Sequence, residues 1–102
     1  MRILDEQETK EFAQKFNCSF SDAKLIVKYI FDRYKEFYYK GWEDHCPLNT
    51  VEEYVYFTTR AMWRGTKAEL LDRYKWDIHN SFESIIVGHK VIALSNGIYV
   101  QC

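Results

Sequence analysis

The sequence predicts an α+β fold, mostly helical, with about five helices followed by a C-terminal β-hairpin. Three observations predict it. Apolar residues recur at the three- and four-residue spacing of a helix face up to about residue 85, interrupted by polar capping residues. The end of the chain, "IIVGHKVIALSNGIYVQC", then turns to β-branched residues around an Asn-Gly dipeptide. One Pro and four Gly in 102 residues, with 47% hydrophobic and 28% charged, describe an ordered chain, and that length forms one core. A single domain is expected, residues 1–49 forming a helical part that packs on residues 50–102.

The first helix is read over residues 5–16, "DEQETKEFAQKF", with acids in its first turn, lysines later and Phe12, Ala13 and Phe16 on one apolar edge. Asn17 ends it. Ser19 or Ser21 caps a helix of about 20 residues stopped at Gly41, and its core stripe is Ala23, Ile26, Val27, Ile30, Tyr34, Phe37 and Tyr38. A helix apolar over so much of its circumference is expected at the centre of the fold or in a homodimer seam. "GWEDHCPLN", residues 41–49, reads as a loop.

Thr50 and Glu53 form a capping box for a helix running to Gly65, with Val51, Tyr54, Val55, Thr58, Ala61 and Met62 on one side. Thr66 and Glu69 repeat that signature, so the next helix starts abruptly. "KWDIHNSFESI" supplies a further helix, with Asp77 as N-cap and Ile78, Phe82 and Ile85 at helical spacing. Asn96-Gly97 predicts a hairpin with a type I′ turn, which needs positive φ at both central residues.

Two stretches resemble DNA-binding motifs. Residues 12–26 are similar to the general helix-turn-helix pattern at Phe12, Ala13, Phe16, Cys18 and Ile26, with Asn17 where Gly is usual. The helix that would then read DNA is too long and too apolar, so this stretch is read as a helix junction. Residues 50–102, by their order of three helices and a hairpin, resemble a winged helix-turn-helix. That resemblance implies a third helix in the major groove and a hairpin against the backbone.

Charge supports the second resemblance. Residues 60–75 carry Arg60, Arg64, Lys67, Arg73 and Lys75 against Glu69 and Asp72, in a chain of net charge −1. The expected contacts with double-stranded DNA are Arg64, Lys67, Arg73 and Lys75, then His79, Asn80 and Ser81 at the start of the reading helix, and Lys90 and Asn96 near the hairpin. The alternative is a protein-interaction module or a phage-type inhibitor, binding a host protein through Tyr38, Tyr39, Trp42, Glu43, Asp44, Glu52 and Glu53. Acids there would mimic nucleic acid, and aromatic rings would anchor the partner.

Other chemistries find little support. The chain has no G-x-S-x-G, no glycine-rich phosphate loop and no H-E-x-x-H, so no enzymatic activity, metal or cofactor is expected. Cys18, Cys46 and Cys102 are odd in number and widely spaced, which predicts reduced thiols. No signal peptide or membrane-length apolar run is found, and a cytoplasmic protein is expected. Residues with AT-rich codons suggest an AT-rich bacterial or phage genome, and the DNA-binding reading makes the expected protein a regulator of a bacterial or phage gene.

Overall fold

In a computed structural model of the chain, the described residues are 2–38, 48–77 and 81–102, the side chains of residues 37 and 38 excepted. Five helices and a small antiparallel sheet are found among them: an α+β fold, mostly helical. The chain divides into two compact units, Met1–Ala61 and Met62–Cys102.

The first unit holds three helices. In α1 (Glu6–Phe16), Asp5 accepts the Glu8 backbone N–H at 2.8 Å while the Glu8 carboxylate accepts that of Asp5 at 3.2 Å, a complete capping box. Asn17 closes the helix in the left-handed conformation, φ 55°, which Asn tolerates better than most residues. The expected junction is therefore present. Helix α2 (Phe20–Tyr38) starts immediately after, and the Ser19 hydroxyl accepts the Asp22 N–H at 3.1 Å, so Ser19 rather than Ser21 is its cap. Ala23, Ile26, Val27, Ile30 and Tyr34 are buried, as their spacing predicts. The Gly41 stop and the 41–47 loop lie outside the described residues, and so does Cys46.

Helix α3 (Val51–Ala61) packs on α1 and α2, burying Val51, Tyr54 and Thr58. Its Thr50–Glu53 capping contacts form as expected. The segment before α1 is pinned to this unit: the Tyr54 hydroxyl donates to the Arg2 carbonyl at 2.7 Å, and the Arg2 N–H donates to the Leu48 carbonyl at 2.9 Å.

The second unit departs from the sequence reading at its first residues. The helix expected to reach Gly65 stops at Ala61, and Trp63–Gly65 forms a strand, β1. The cause is non-local. β1 pairs antiparallel with β3 (Tyr99–Gln101), and β3 pairs with β2 (Ile92–Ala93), giving the order β1-β3-β2. Thr66 then caps α4 (Lys67–Arg73), with both halves of the Thr66–Glu69 capping box formed. The next cap is also corrected: Ser81, not Asp77, caps α5 (Phe82–Gly88), its backbone extended and its hydroxyl accepting the Ser84 N–H, while the Asp77 carboxylate lies 3.5 Å from His89 Nε2.

The hairpin is present, but its turn is not type I′. Ala93 pairs with Tyr99, and the Leu94 N–H donates to the Ile98 carbonyl at 2.7 Å. That register leaves three residues, Ser95, Asn96 and Gly97, in the loop. Only Gly97 takes positive φ, 79°, the pattern of a turn closed by a left-handed residue. Asn96 instead accepts the Ile98 N–H at 3.2 Å. The core of this unit is Leu70, Ile85 and Val91, with Trp63, Tyr74, Phe82, Ile86 and Tyr99 packed around it.

Candidate nucleic-acid interface

Helix α5 lies beside Lys67 and Lys90, two of the basic residues of the second unit. It buries Ile85 and half-buries Phe82 and Ile86, leaving Glu83, Ser84, Val87 and Gly88 exposed. Ser81 at its start accepts the Ser84 N–H at 3.3 Å, and the two hydroxyls lie 3.1 Å apart.

Cations stand at both ends of this helix. At the first end, the ammonium of Lys67, which opens α4, lies 4.4 Å from the centroid of the Phe82 ring. The Arg73 guanidinium, at the end of α4, lies 5.3 Å from the Trp63 ring and 5.9 Å from that of Tyr74, and Tyr74 stacks on His89, the C-cap of α5, with centroids 3.9 Å apart. Lys90 follows directly. It is exposed and held at φ 51°, a conformation that favours glycine. The Lys90 N–H donates to the Val87 carbonyl at 3.4 Å and the Val91 N–H to the Ile86 carbonyl at 3.0 Å, closing α5 as a left-handed cap closes a helix.

A polar clamp fixes the C-terminal end. The Tyr74 hydroxyl donates to Gln101 Oε1 at 2.7 Å, and Gln101 Nε2 donates to the His89 carbonyl at 3.3 Å. Gln101 is buried, so both of its amide atoms are engaged where leaving either unpaired would cost about 1–3 kcal/mol. The end of α4, the end of α5 and strand β3 thus meet at Tyr74, His89 and Gln101. No local sequence signal marks this cluster, because it depends on the register of β3.

The remaining expected contacts are spread more widely. Arg64 is exposed in the middle of β1, across from Val100, while its neighbour Gly65 sits across from Tyr99. Side chains alternate along a strand, and Tyr99 meets Phe82 edge-on at 5.5 Å, so Arg64 belongs to the sheet face opposite α5. Lys75 is exposed, 3.7 Å from an Asp72 oxygen. Asn96 is exposed in the hairpin loop. His79 and Asn80 lie outside the described residues.

Of the residues expected to bind a protein, Tyr39, Trp42, Glu43 and Asp44 lie outside the described residues, as does the Tyr38 side chain. Glu52 is exposed and pairs with Lys15 at 3.1 Å, and its own backbone N–H followed by Lys15 lowers its pKa. The Glu53 carboxylate accepts from the Thr50 hydroxyl at 3.1 Å and the Asn49 N–H at 3.3 Å. Both acids therefore have partners within the first unit.

The sequence reading passed over Trp76 and Val87, which are 82% and 77% exposed. Neither falls on the Ile78, Phe82 and Ile85 stripe, and spacing along a helix does not show which residues off such a stripe are exposed. Cys18 and Cys102 are half-buried thiols outside any disulfide. Among the described residues, no helix is long and apolar enough to cross a membrane. The chain matches no protein-family model, no curated protein and no solved structure.

Proposed function

We propose that residues 62–102 bind double-stranded DNA in a winged-helix-like manner, with α5 as the reading helix and the β2–β3 hairpin as the wing. The observation that carries this reading is the cation at each end of α5: Lys67 beside its start and Lys90 at its end, with Arg73 beside the Tyr74 ring that stacks on the C-cap His89. Seven residues at about 1.5 Å per residue span roughly 10 Å, close to the approximately 12 Å width of the major groove of B-DNA. A helix of that length laid across the groove brings its two ends to the two phosphate backbones. The strand order β1-β3-β2, with two helices inserted between β1 and β2, supports the same reading, because it sets a hairpin beside the last helix.

The exposed side chains of α5 suit base edges more than phosphates. The Ser84 hydroxyl can donate or accept, the Glu83 carboxylate accepts from the amino group of cytosine, and the Val87 methyls fit against the thymine methyl. Phosphate attraction then falls to Lys67, Arg73 and Lys90. Arg64, on the opposite sheet face, stands apart from this set.

Titration of random duplex DNA at about 50 mM and about 200 mM salt tests the proposal, since phosphate contacts weaken steeply over that range. Salt-sensitive binding, weakened by Lys67→Ala and by Lys90→Ala, is expected. No affinity at either salt overturns it. A second reading, a non-enzymatic protein-interaction module, is favoured by the exposure of Leu71, Trp76 and Val87. It predicts a stoichiometric protein partner and no binding of DNA at low salt.

A further inference from the structure

Trp76 is the most exposed large hydrophobic residue described, at 82%. An indole in water contributes nothing to the core, yet the turn that carries it is tied down on both sides. Tyr74, two residues earlier, stacks on His89 and donates to Gln101. Asp77, the next residue, donates its N–H to the Tyr74 carbonyl at 3.0 Å and sets its carboxylate 3.5 Å from the same His89. The backbone that carries the indole is thus held by contacts at Tyr74 before it and Asp77 after it.

A positive charge lies beside it. The Lys75 ammonium lies 5.5 Å from the Trp76 ring centroid, with Asp72 3.7 Å from that ammonium, and Arg73, three residues before the indole, is exposed over the Trp63 and Tyr74 rings. An exposed ring with an ammonium beside it has the chemistry that stacks on a nucleobase while drawing in its phosphate.

We infer that Trp76 is a nucleobase-stacking residue that favours DNA with an open base face beside a duplex, as at an overhang or a frayed end. The inference rests on the reading of residues 62–102 as a DNA-binding unit: α5 and its flanking cations hold the duplex, and Trp76 stacks on the first base beyond it. In an unbroken duplex each base is covered on both faces by its neighbours. Trp76 then has nothing to stack on unless a base step is forced apart.

The test compares three labelled DNAs, a blunt duplex, the same duplex with a short single-stranded overhang and the single strand alone, against the full chain and its W76A and W76F variants. The natural chain is expected to bind the overhang duplex about tenfold more tightly than the blunt one, in line with the usual worth of one base–aromatic stack. W76A erases that preference while keeping its affinity for the blunt duplex, and W76F restores part of it. Both variants keep the melting temperature, since the side chain is exposed. Equal affinity of the natural chain for blunt and overhang duplexes overturns the inference alone, and so does a preference that survives in W76A. Failure to bind any of the three DNAs overturns the inference together with the reading beneath it. A Trp76 that docks protein instead would give that last result.

Discussion

Gly65 shows how one residue decides a local structure. A Cβ built there would lie 2.6 Å from Cζ2 and 2.7 Å from Cη2 of Trp63, because the indole lies over the glycine. Gly65→Ala must displace a bulky ring, and we expect a loss of about 1–3 kcal/mol with a changed near-UV signal from Trp63, read by urea denaturation. Lys90 runs the other way. A lysine at φ 51° sits where glycine is favoured, so Lys90→Gly is expected to raise stability by about 0.5–1 kcal/mol. If the cation contacts phosphate, the same variant binds DNA more weakly, and thermal melting beside a DNA titration separates the two effects. At this scale the sequence was partly legible. Asn17, Thr50 and Thr66 announce their roles because capping is a matter of neighbours within three residues. The Tyr74–His89–Gln101 cluster does not, since its members lie 15 and 12 positions apart and meet only once β3 has paired.

Among the elements, the helix starts carry the most visible physics. Thr66 and Glu69 exchange bonds at the start of α4, and the backbone and hydroxyl of Thr66 hold the Glu69 carboxyl below its ordinary pKa. Thr66→Ala is expected to cost about 1 kcal/mol, seen as a lower denaturation midpoint at unchanged slope. In α1 the Arg2 guanidinium donates to both Glu8 carboxylate oxygens, at 2.7 Å and 2.5 Å, and Asp5 adds its backbone N–H. These bonds lower the Glu8 pKa from 4.5 to about 2. A lowered carboxyl pKa gives stability that is complete above pH 4.5 and is lost as pH falls toward about 2. Stability measured from pH 5 downward should therefore fall less steeply in Glu8→Gln than in the natural chain. Strand β1 is the element that local reading could not find. "MWRG" continues the helical spacing of the preceding turns, and nothing within it foretells pairing with residues 99–101. The hairpin turn was missed for a related reason: Asn-Gly favours a two-residue loop, but the bond from Leu94 to Ile98 next to the Ala93–Tyr99 pair leaves three residues between the strands.

Across the whole molecule, charge is divided unevenly between the two compact units. The first carries nine Lys and Arg against eleven Asp and Glu, and the second five against four, although the chain as a whole is near neutral. Long-range attraction to DNA is therefore weak, and the salt dependence comes from the few local phosphate contacts. With Lys67, Arg73 and Lys90 as the phosphate contacts, a plot of log affinity against log salt is expected to have a slope of about −3, and each alanine substitution should lessen it by about one. A slope near zero would remove these residues from the interface. The three-stranded sheet has a further consequence. Its outer strands, β1 and β2, are three and two residues long, and Arg64 stands in the middle of the longer one. Outer strands this short, one of them carrying a charge, are poor templates for the addition of another chain's backbone. A protein with 18% aromatic residues is thereby protected from fibril growth along its own sheet, at the point where its sequence is richest in β-formers.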